Sequence, residues 1–218
     1  MTQYERMQKG LVFDICDPQI MEMQRPLREK LWAFNRLSPF EQDKKQAYIK
    51  EVFAECGEDC YIELPFHASW GGSHVHFGNG VYVNSNVTMI DDGHIFIASR
   101  VLIGPNVVIA TANHPLNPKL RRYEMQYNRD VHIGENVWIG AGAMIMPGVH
   151  IGDNSVIGAG SVVVRDIPEN VLAVGNPCHV LREIGKRDDE YFCHDEKVDW
   201  ENLNDICEAK SKLPKFQR

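Results

Sequence analysis

A histidine in a polar, proline-marked stretch is the residue of this chain best suited to acid–base chemistry. His114 stands in TANHPLNP, at the start of the run NHPLNPKLRRYEMQYNRD. A neutral imidazole accepts a proton from a hydroxyl, passes it on, and titrates near neutral pH. A loop histidine with no role is the alternative, and residue type alone does not separate the two. Asn84, Asp91 and Asp92 stand in YVNSN and MIDDG. Carboxylates accept hydrogen bonds from sugar hydroxyls, and an amide donates as well as accepts. Asn and Asp are also what tight corners ordinarily hold. His132 and His150 could be a pair of metal ligands, but neutral surface or interface histidines are the simpler reading. His67, His74, His76 and His94 show no ligand spacing. Cys56 and Cys60 have no second Cys/His pair to complete a zinc site. There is no P-loop, dinucleotide glycine fingerprint, G-x-S-x-G or H-E-x-x-H.

These residues sit on a six-residue beat. Aliphatic side chains recur at Phe77, Val83, Met89, then Ile97, Ile103, Ile109, then Ile133, Ile139, Ile145, Ile151, Ile157 and Val163. A small or aliphatic partner lies two places earlier, from Val75 to Ser161, and Gly, Asn or Asp often follows. A short fixed period of this kind predicts a β-solenoid. The paired residues point inward because alternate strand residues face opposite ways, and the Gly/Asn/Asp positions turn the corners. Val75 to Asp166 gives twelve sides, hence four coils. Each coil buries its apolar face only against its neighbours. His76, Tyr82, Phe96, Leu102, His132, Trp138, Met144, His150 and Val156 then point outward, with His132 and His150 stacked on adjacent coils. An exposed apolar wall predicts a subunit interface, most simply in a ring of identical chains.

The fold class expected is mainly β. A helical segment over 1–60 leads to a solenoid over 61–185 and a charged tail over 186–218. Ser38-Pro39 with Glu41 reads as a helix start, that helix is expected to end near Gly57, and Pro26 interrupts the helix before it. The beat breaks at Gly93-His94 and, more widely, over 113–130. Long excursions from a rigid scaffold are usually functional. Net charge of −7 excludes broad nucleic-acid binding, and no apolar run reaches a membrane span. The polar start MTQYERMQKG has no signal-peptide core, so the six cysteines read as reduced thiols in the cytoplasm.

The whole chain resembles the maltose/galactoside O-acetyltransferases among the hexapeptide-repeat acyltransferases. The resemblance lies in LWAFN, PFHASWGG, YVNSNVTMIDD, IGPNVVIATANHPLNPKLRR and the run from NVWIGAGAMIMPGVHIGDNSV to NPCHVLREI. The tail REIGKRDDEYF leans toward galactoside members. The resemblance implies a left-handed parallel β-helix, a homotrimer with sites between subunits, acetyl-CoA as donor, a sugar or glycoside as acceptor, and no required metal. It assigns His114 as the base acting on a hydroxyl, most simply O6, and no covalent enzyme intermediate. Asn84 matches the asparagine beside the acceptor oxygen and the donor. Asp92 and Asp14 match the substrate-binding aspartates, with Asp17 an alternative to Asp14. Ala141 stands at the oxyanion position, where some members have serine, so its backbone N–H must serve. Ala159, Val164 and Arg165 match positions along the pantetheine, and His179 and Arg182 match basic positions near the phosphates of the coenzyme. Trp138 packs near the site.

Other readings remain: an acetyltransferase for an antibiotic, a nodulation-type oligosaccharide or serine, a γ-carbonic-anhydrase-like metal hydratase, or a non-catalytic solenoid.

Overall fold

The period closes into a triangular coil because each inward V-x-I pair fills one side and the residues after it can turn sharply. The computed structural model describes residues 1–211; the last part of the predicted tail, 212–218, lies outside the described residues. Three parallel sheets form the faces. Face 1 stacks Glu55–Cys56, Val75–Phe77, Ile95–Ile97, Val131–Ile133 and His150–Ile151. Face 2 stacks Tyr61–Ile62, Tyr82–Val83, Leu102–Ile103, Trp138–Ile139, Val156–Ile157 and Val171–Gly175, and Cys178–Glu183 closes it antiparallel. Face 3 stacks Phe66–Ala68, Val87–Ile90, Val108–Ala110, Met144–Ile145 and Val162–Val163. Inward residues such as Val83, Met89, Ile109, Ile139, Ile145 and Ile157 are wholly buried in one continuous core.

The corners bear out the composition. Asn86, Asn106, Asn136 and Asn154 adopt φ of 57–60°, a left-handed conformation that asparagine tolerates better than most residues. Their amides ladder from coil to coil: Asn136 Nδ2 donates to Asn154 Oδ1 at 3.0 Å, and Asn154 Nδ2 to Asn170 Oδ1 at 3.1 Å.

The stack is longer than the beat. A further coil, Glu55 to Ala68, precedes Val75, because Cys56, Cys60, Ile62 and Phe66 occupy its inward places. Cysteines at two of those places break the aliphatic pattern. At the other end Val171–Gly175 extends face 2. The tail continues as a short helix (Lys186–Glu190), a two-stranded hairpin and a helix over Trp200–Ser211.

Three helices close the first coil: α1 (Gln3–Gln8), α2 (Pro18–Phe34) and α3 (Gln42–Val52). Asp17 caps α2 by accepting from Gln19 and Ile20 N–H, and α2 runs unbroken through Pro26. Glu41 is the N-cap residue of α3, so the helix starts later than Ser38-Pro39 indicates; the Ser38 N–H donates to the Glu41 carboxylate at 2.7 Å in the turn before it. It also ends earlier, because Phe53 is extended and Glu55–Cys56 already belongs to the solenoid. Phe34 stacks on Tyr48 at 4.1 Å, and Phe53 meets Phe77 at 5.0 Å, so aromatic rings plug the open end.

Face 1 carries a ring ladder. Phe96 stacks on His132 at 4.7 Å, and His132 on His150 at 4.5 Å and 7°. His74, His76 and His94 gather at its foot: His76 Nε2 lies 2.9 Å from His94 Nδ1, and Gln8 bridges His74 and His94. Among the described residues no group of three or more candidate ligands could hold a metal ion, and no helix is long and apolar enough to cross a membrane.

Burial holds the imidazoles of His74, His94 and His132 below their ordinary pKa, with neighbouring histidines adding to the effect. The unfolded chain therefore takes up these protons first as pH falls, and stability is lost below about pH 6.5. His132→Phe keeps the ring stack and removes one such group. Its denaturant midpoint should fall less steeply than that of wild type between pH 6.5 and 5; an equal or steeper fall would refute the assignment.

Candidate active site

The excursion that follows face 3 is an ordered hairpin. Ala112–Asn113 pairs antiparallel with Met125–Asn128, and helix α4 (Pro118–Arg122), capped by Asn117, fills the turn between them. The N-terminal strand Phe13–Asp14 adds to the outer edge, placing Asp14 opposite Met125. Two more contacts fasten this strap: Arg129 donates to the Gly10 carbonyl at 2.9 Å, and the Cys16 thiol donates to Glu124 at 3.0 Å.

His114 lies at the base of the hairpin, exposed. Its Nδ1 is 2.8 Å from the Met125 carbonyl oxygen. A carbonyl only accepts, so the proton of the neutral ring sits on Nδ1 and Nε2 carries the lone pair. One strand, Met125–Asn128, thus orients His114 through a carbonyl and positions Asp14 through its register. Asp17 Oδ1 accepts from the Gln19 and Ile20 N–H groups at the start of α2, and Asp14 Oδ1 accepts from the Cys16 N–H at 2.8 Å, so each aspartate keeps its second oxygen.

Asp91 and Asp92 part company. Asp91 is fully buried and accepts from Trp70 N–H at 2.7 Å and Gly72 N–H at 2.9 Å, so it holds the turn that leads into the second coil. Burial pushes its carboxyl up to about 7. Asp92 lines a cavity of about 260 Å³ with Arg28, Ser69 and Gln126 as polar partners, over a floor that includes Phe13, Ile20 and Ile90. Two larger grooves, of about 660 Å³ on the outer side of α2 and about 730 Å³ along face 1, contain none of the residues singled out for catalysis. No sequence motif marks Arg28 or Gln126. A readable signal exists for the first: Ile20, Gln24 and Arg28 form a helix row at four-residue spacing, and all three line this cavity.

The remaining candidates lie elsewhere on the coil. Asn84, Ala141 and Ala159 follow face 2, on the corner it shares with face 3. His179 joins them from the final strand, opposite Val174. This corner is built for close approach. A Cβ on Gly104 would lie 2.8 Å from the Ala141 nitrogen, and one on Gly140 would lie 2.6 Å from the Ala159 nitrogen. Outside Gly142 and Gly160 there is open space. Among the described residues neither the Ala141 nor the Ala159 N–H donates to the protein, so two backbone donors face outward one coil apart. Trp138 is exposed beside them. Val164 and Arg165 lie at the opposite end of face 3, exposed. Arg182 is committed to a bidentate pair with Asp188, at 2.8 and 2.6 Å.

The site residues therefore form two groups. Asp14, Asp92 and His114 occupy the corner between faces 3 and 1, and Asn84, Ala141, Ala159 and His179 the corner between faces 2 and 3. A full side of the coil separates them, roughly 20 Å at about 3.3 Å per residue.

Comparison with known proteins follows this geometry. The bacterial transferase hexapeptide (six repeats) matches residues 130–165, and the maltose acetyltransferase hexapeptide capping motif matches residues 6–57. A galactoside O-acetyltransferase of Lactococcus lactis is 44% identical over 199 residues, covering 91% of this chain and 96% of that protein. One from Escherichia coli is 44% identical over 200 residues, covering 91% and 98%. This chain belongs to the galactoside and maltose O-acetyltransferase family. A solved galactoside acetyltransferase in complex with coenzyme A superposes with a TM-score of 0.87 at 43% identity, over 91% of this chain and 99% of that one. Membership of this O-acetyltransferase family accounts for both the helical cap over the first coil and the solenoid behind it.

The tautomer is directly measurable. Nitrogen-15 NMR above neutral pH should show His114 Nδ1 protonated and Nε2 bare; the reverse assignment would remove the orienting role of Met125.

Proposed function

We propose that this chain transfers the acetyl group of acetyl-CoA to a hydroxyl of a galactoside or related sugar, most simply O6, at a site shared by two copies in a homotrimer. The observation that carries this reading is the bare Nε2 of exposed His114, fixed by the Met125 carbonyl on the same strand whose Gln126 lines a cavity with Asp92 and Arg28. His114 Nε2 takes the proton of the attacking hydroxyl. The hydroxyl oxygen bonds to the thioester carbon, and the Ala141 N–H donates to the oxygen that gains charge. The C–S bond then breaks, and the imidazolium returns the proton to sulfur. No nucleophilic side chain is needed.

Asp92, Asp14 and Arg28 suit the acceptor. The Asp92 carboxylate and the Arg28 guanidinium line a volume near that of one sugar ring, where they would recognise hydroxyls by paired hydrogen bonds, and Asp14 lies on the strand next to it. Asn84, Ala159, Val164, Arg165 and His179 suit the donor, whose amides fit the free N–H groups along the corner. Arg182 reaches a phosphate only by leaving Asp188. The separation of the two groups on one chain supports the shared site: the hairpin corner of one copy must meet the glycine–alanine corner of the next.

Thiol release from acetyl-CoA should depend on the acceptor, with isopropyl-thiogalactoside and other galactosides or glucosides ahead of serine and chloramphenicol; release with only a non-sugar acceptor would reassign the substrate. His114→Ala should lower turnover by at least ~10²-fold in a folded protein. Hybrids test the shared site. His114→Ala and Asn84→Ala chains, each nearly inactive, are unfolded and refolded together in equal amounts. Every mixed trimer then holds one intact site, and roughly a quarter of wild-type activity should return. Recovery no greater than the sum of the two variants would place the site within one chain.

A further inference from the structure

The cavity at Asp92 has a volume of about 260 Å³, near that of one sugar ring, so a group attached to that ring must lie outside it. Two spaces adjoin the cavity. One shares Asp92 with it and is polar, and its His94, Arg129 and Asp130 are already paired within the protein. The other is the groove of about 660 Å³ on the outer side of α2, which shares Gln24 and Arg28 with the cavity. Arg28 Nε donates to the Ser69 carbonyl at 3.4 Å, and Ser69 lines the cavity. The Arg28 side chain is therefore the boundary between the sugar-sized cavity and the groove.

Helix periodicity builds the groove. Met21, Arg25, Arg28 and Trp32 are spaced four, three and four apart, so they form one row along α2, and all four line the groove. Met21 is 57% exposed and Trp32 62%. The stems of Arg25 and Arg28 are methylene chains, so the row stays apolar between its two ends. Arg36 lies 3.8 Å over the Trp32 ring but does not line the groove, so it steadies the indole without filling the space. From Met21 to Ala33 the groove is about 18 Å long, at about 1.5 Å per residue. The fold does not account for this row. Helix α2 joins the core through Leu31 and Phe34, which belong to another side of it.

We propose that the outer face of α2 is an aglycone subsite. The acceptor is then a glycoside whose sugar fills the Asp92 cavity and whose apolar group, an alkyl chain or an aromatic ring, crosses Gln24 and Arg28 to lie on Met21 and Trp32. The proposal rests on the acceptor assignment made above. Its physical basis is burial of apolar surface, which an alkyl or aryl group gains against Met21 and Trp32 and a free sugar does not. The polar space on the other side of Asp92 suits a second sugar instead, but its hydrogen-bonding groups would first have to leave their present partners.

The test is equilibrium binding of methyl, hexyl and phenyl β-galactosides and lactose to the full-length protein, followed by NMR titration without acetyl-CoA. The hexyl and phenyl galactosides should bind about tenfold tighter than the methyl galactoside, the gain expected from burying roughly 55 Å² of apolar surface. In Trp32→Ala that preference should shrink to about twofold or less, and Trp32→Phe should restore most of it. Equal or undetectable affinity for the methyl and hexyl galactosides would overturn the proposal, as would a full preference kept in Trp32→Ala. Lactose binding as tightly as the hexyl galactoside would give the space beyond the cavity to a second sugar. A lower oligomeric state of Trp32→Ala in sedimentation would give this face to another copy of the chain. Turnover of the methyl galactoside with acetyl-CoA is measured separately. Its absence would count against acetyl transfer and leave the binding comparison intact.

Discussion

Everything in this molecule rests on the parallel backbone ladder from coil to coil. Each strand pairs with the equivalent strand one turn away, so the inward side chains of every coil must fill the same triangular cross-section. That constraint sets the six-residue beat, the buried V-x-I pairs and the need for left-handed corners. It also fixes the positions of functional groups in steps of one strand spacing. Ala141 and Ala159 show outward N–H groups one coil apart because the ladder has already used the strand N–H groups on either side.

A rigid scaffold of this kind can hold chemistry only at its corners and where the chain leaves it. The corner between faces 3 and 1 is where it leaves, through the hairpin that carries His114. Gly93 N–H donates to Thr111 Oγ1 and His94 N–H to Asp130, which ties the two-residue insertion to the roots of the excursion. The N-terminal strap then pairs with the hairpin and adds Asp14. The helical cap and the hairpin are thus one assembly, although a hundred residues separate them in the chain.

Much of this was legible in the sequence, for physical reasons. Period six is unambiguous where the inward residues are aliphatic, so the coils from Val75 onward, the corners, the excursion and the His132–His150 stack could all be read. The coil from Glu55 could not, because Cys56 and Cys60 stand where the pattern expects aliphatics. The excursion read as a loop, since pairing of Ala112–Asn113 with Met125–Asn128 leaves no periodic mark in so short a strand. His74, His76 and His94 meet through coil stacking and through Gln8, which no local spacing reveals. The break in the beat points to the segment that holds His114, although residue type alone leaves its role open. Its orientation by a main-chain carbonyl is invisible to side-chain patterns.

The final strand, Cys178–Glu183, runs antiparallel along the last parallel strand of face 2. An open parallel solenoid end is a template: its unpaired N–H and C=O groups match the first strand of another copy, and stacking end to end would give a fibre. The reversed strand presents the wrong direction for that pairing, and at the other end the aromatic plug beneath α2 and α3 covers the opening. The direction of one strand and a cluster of aromatic rings thereby keep a self-complementary repeat finite.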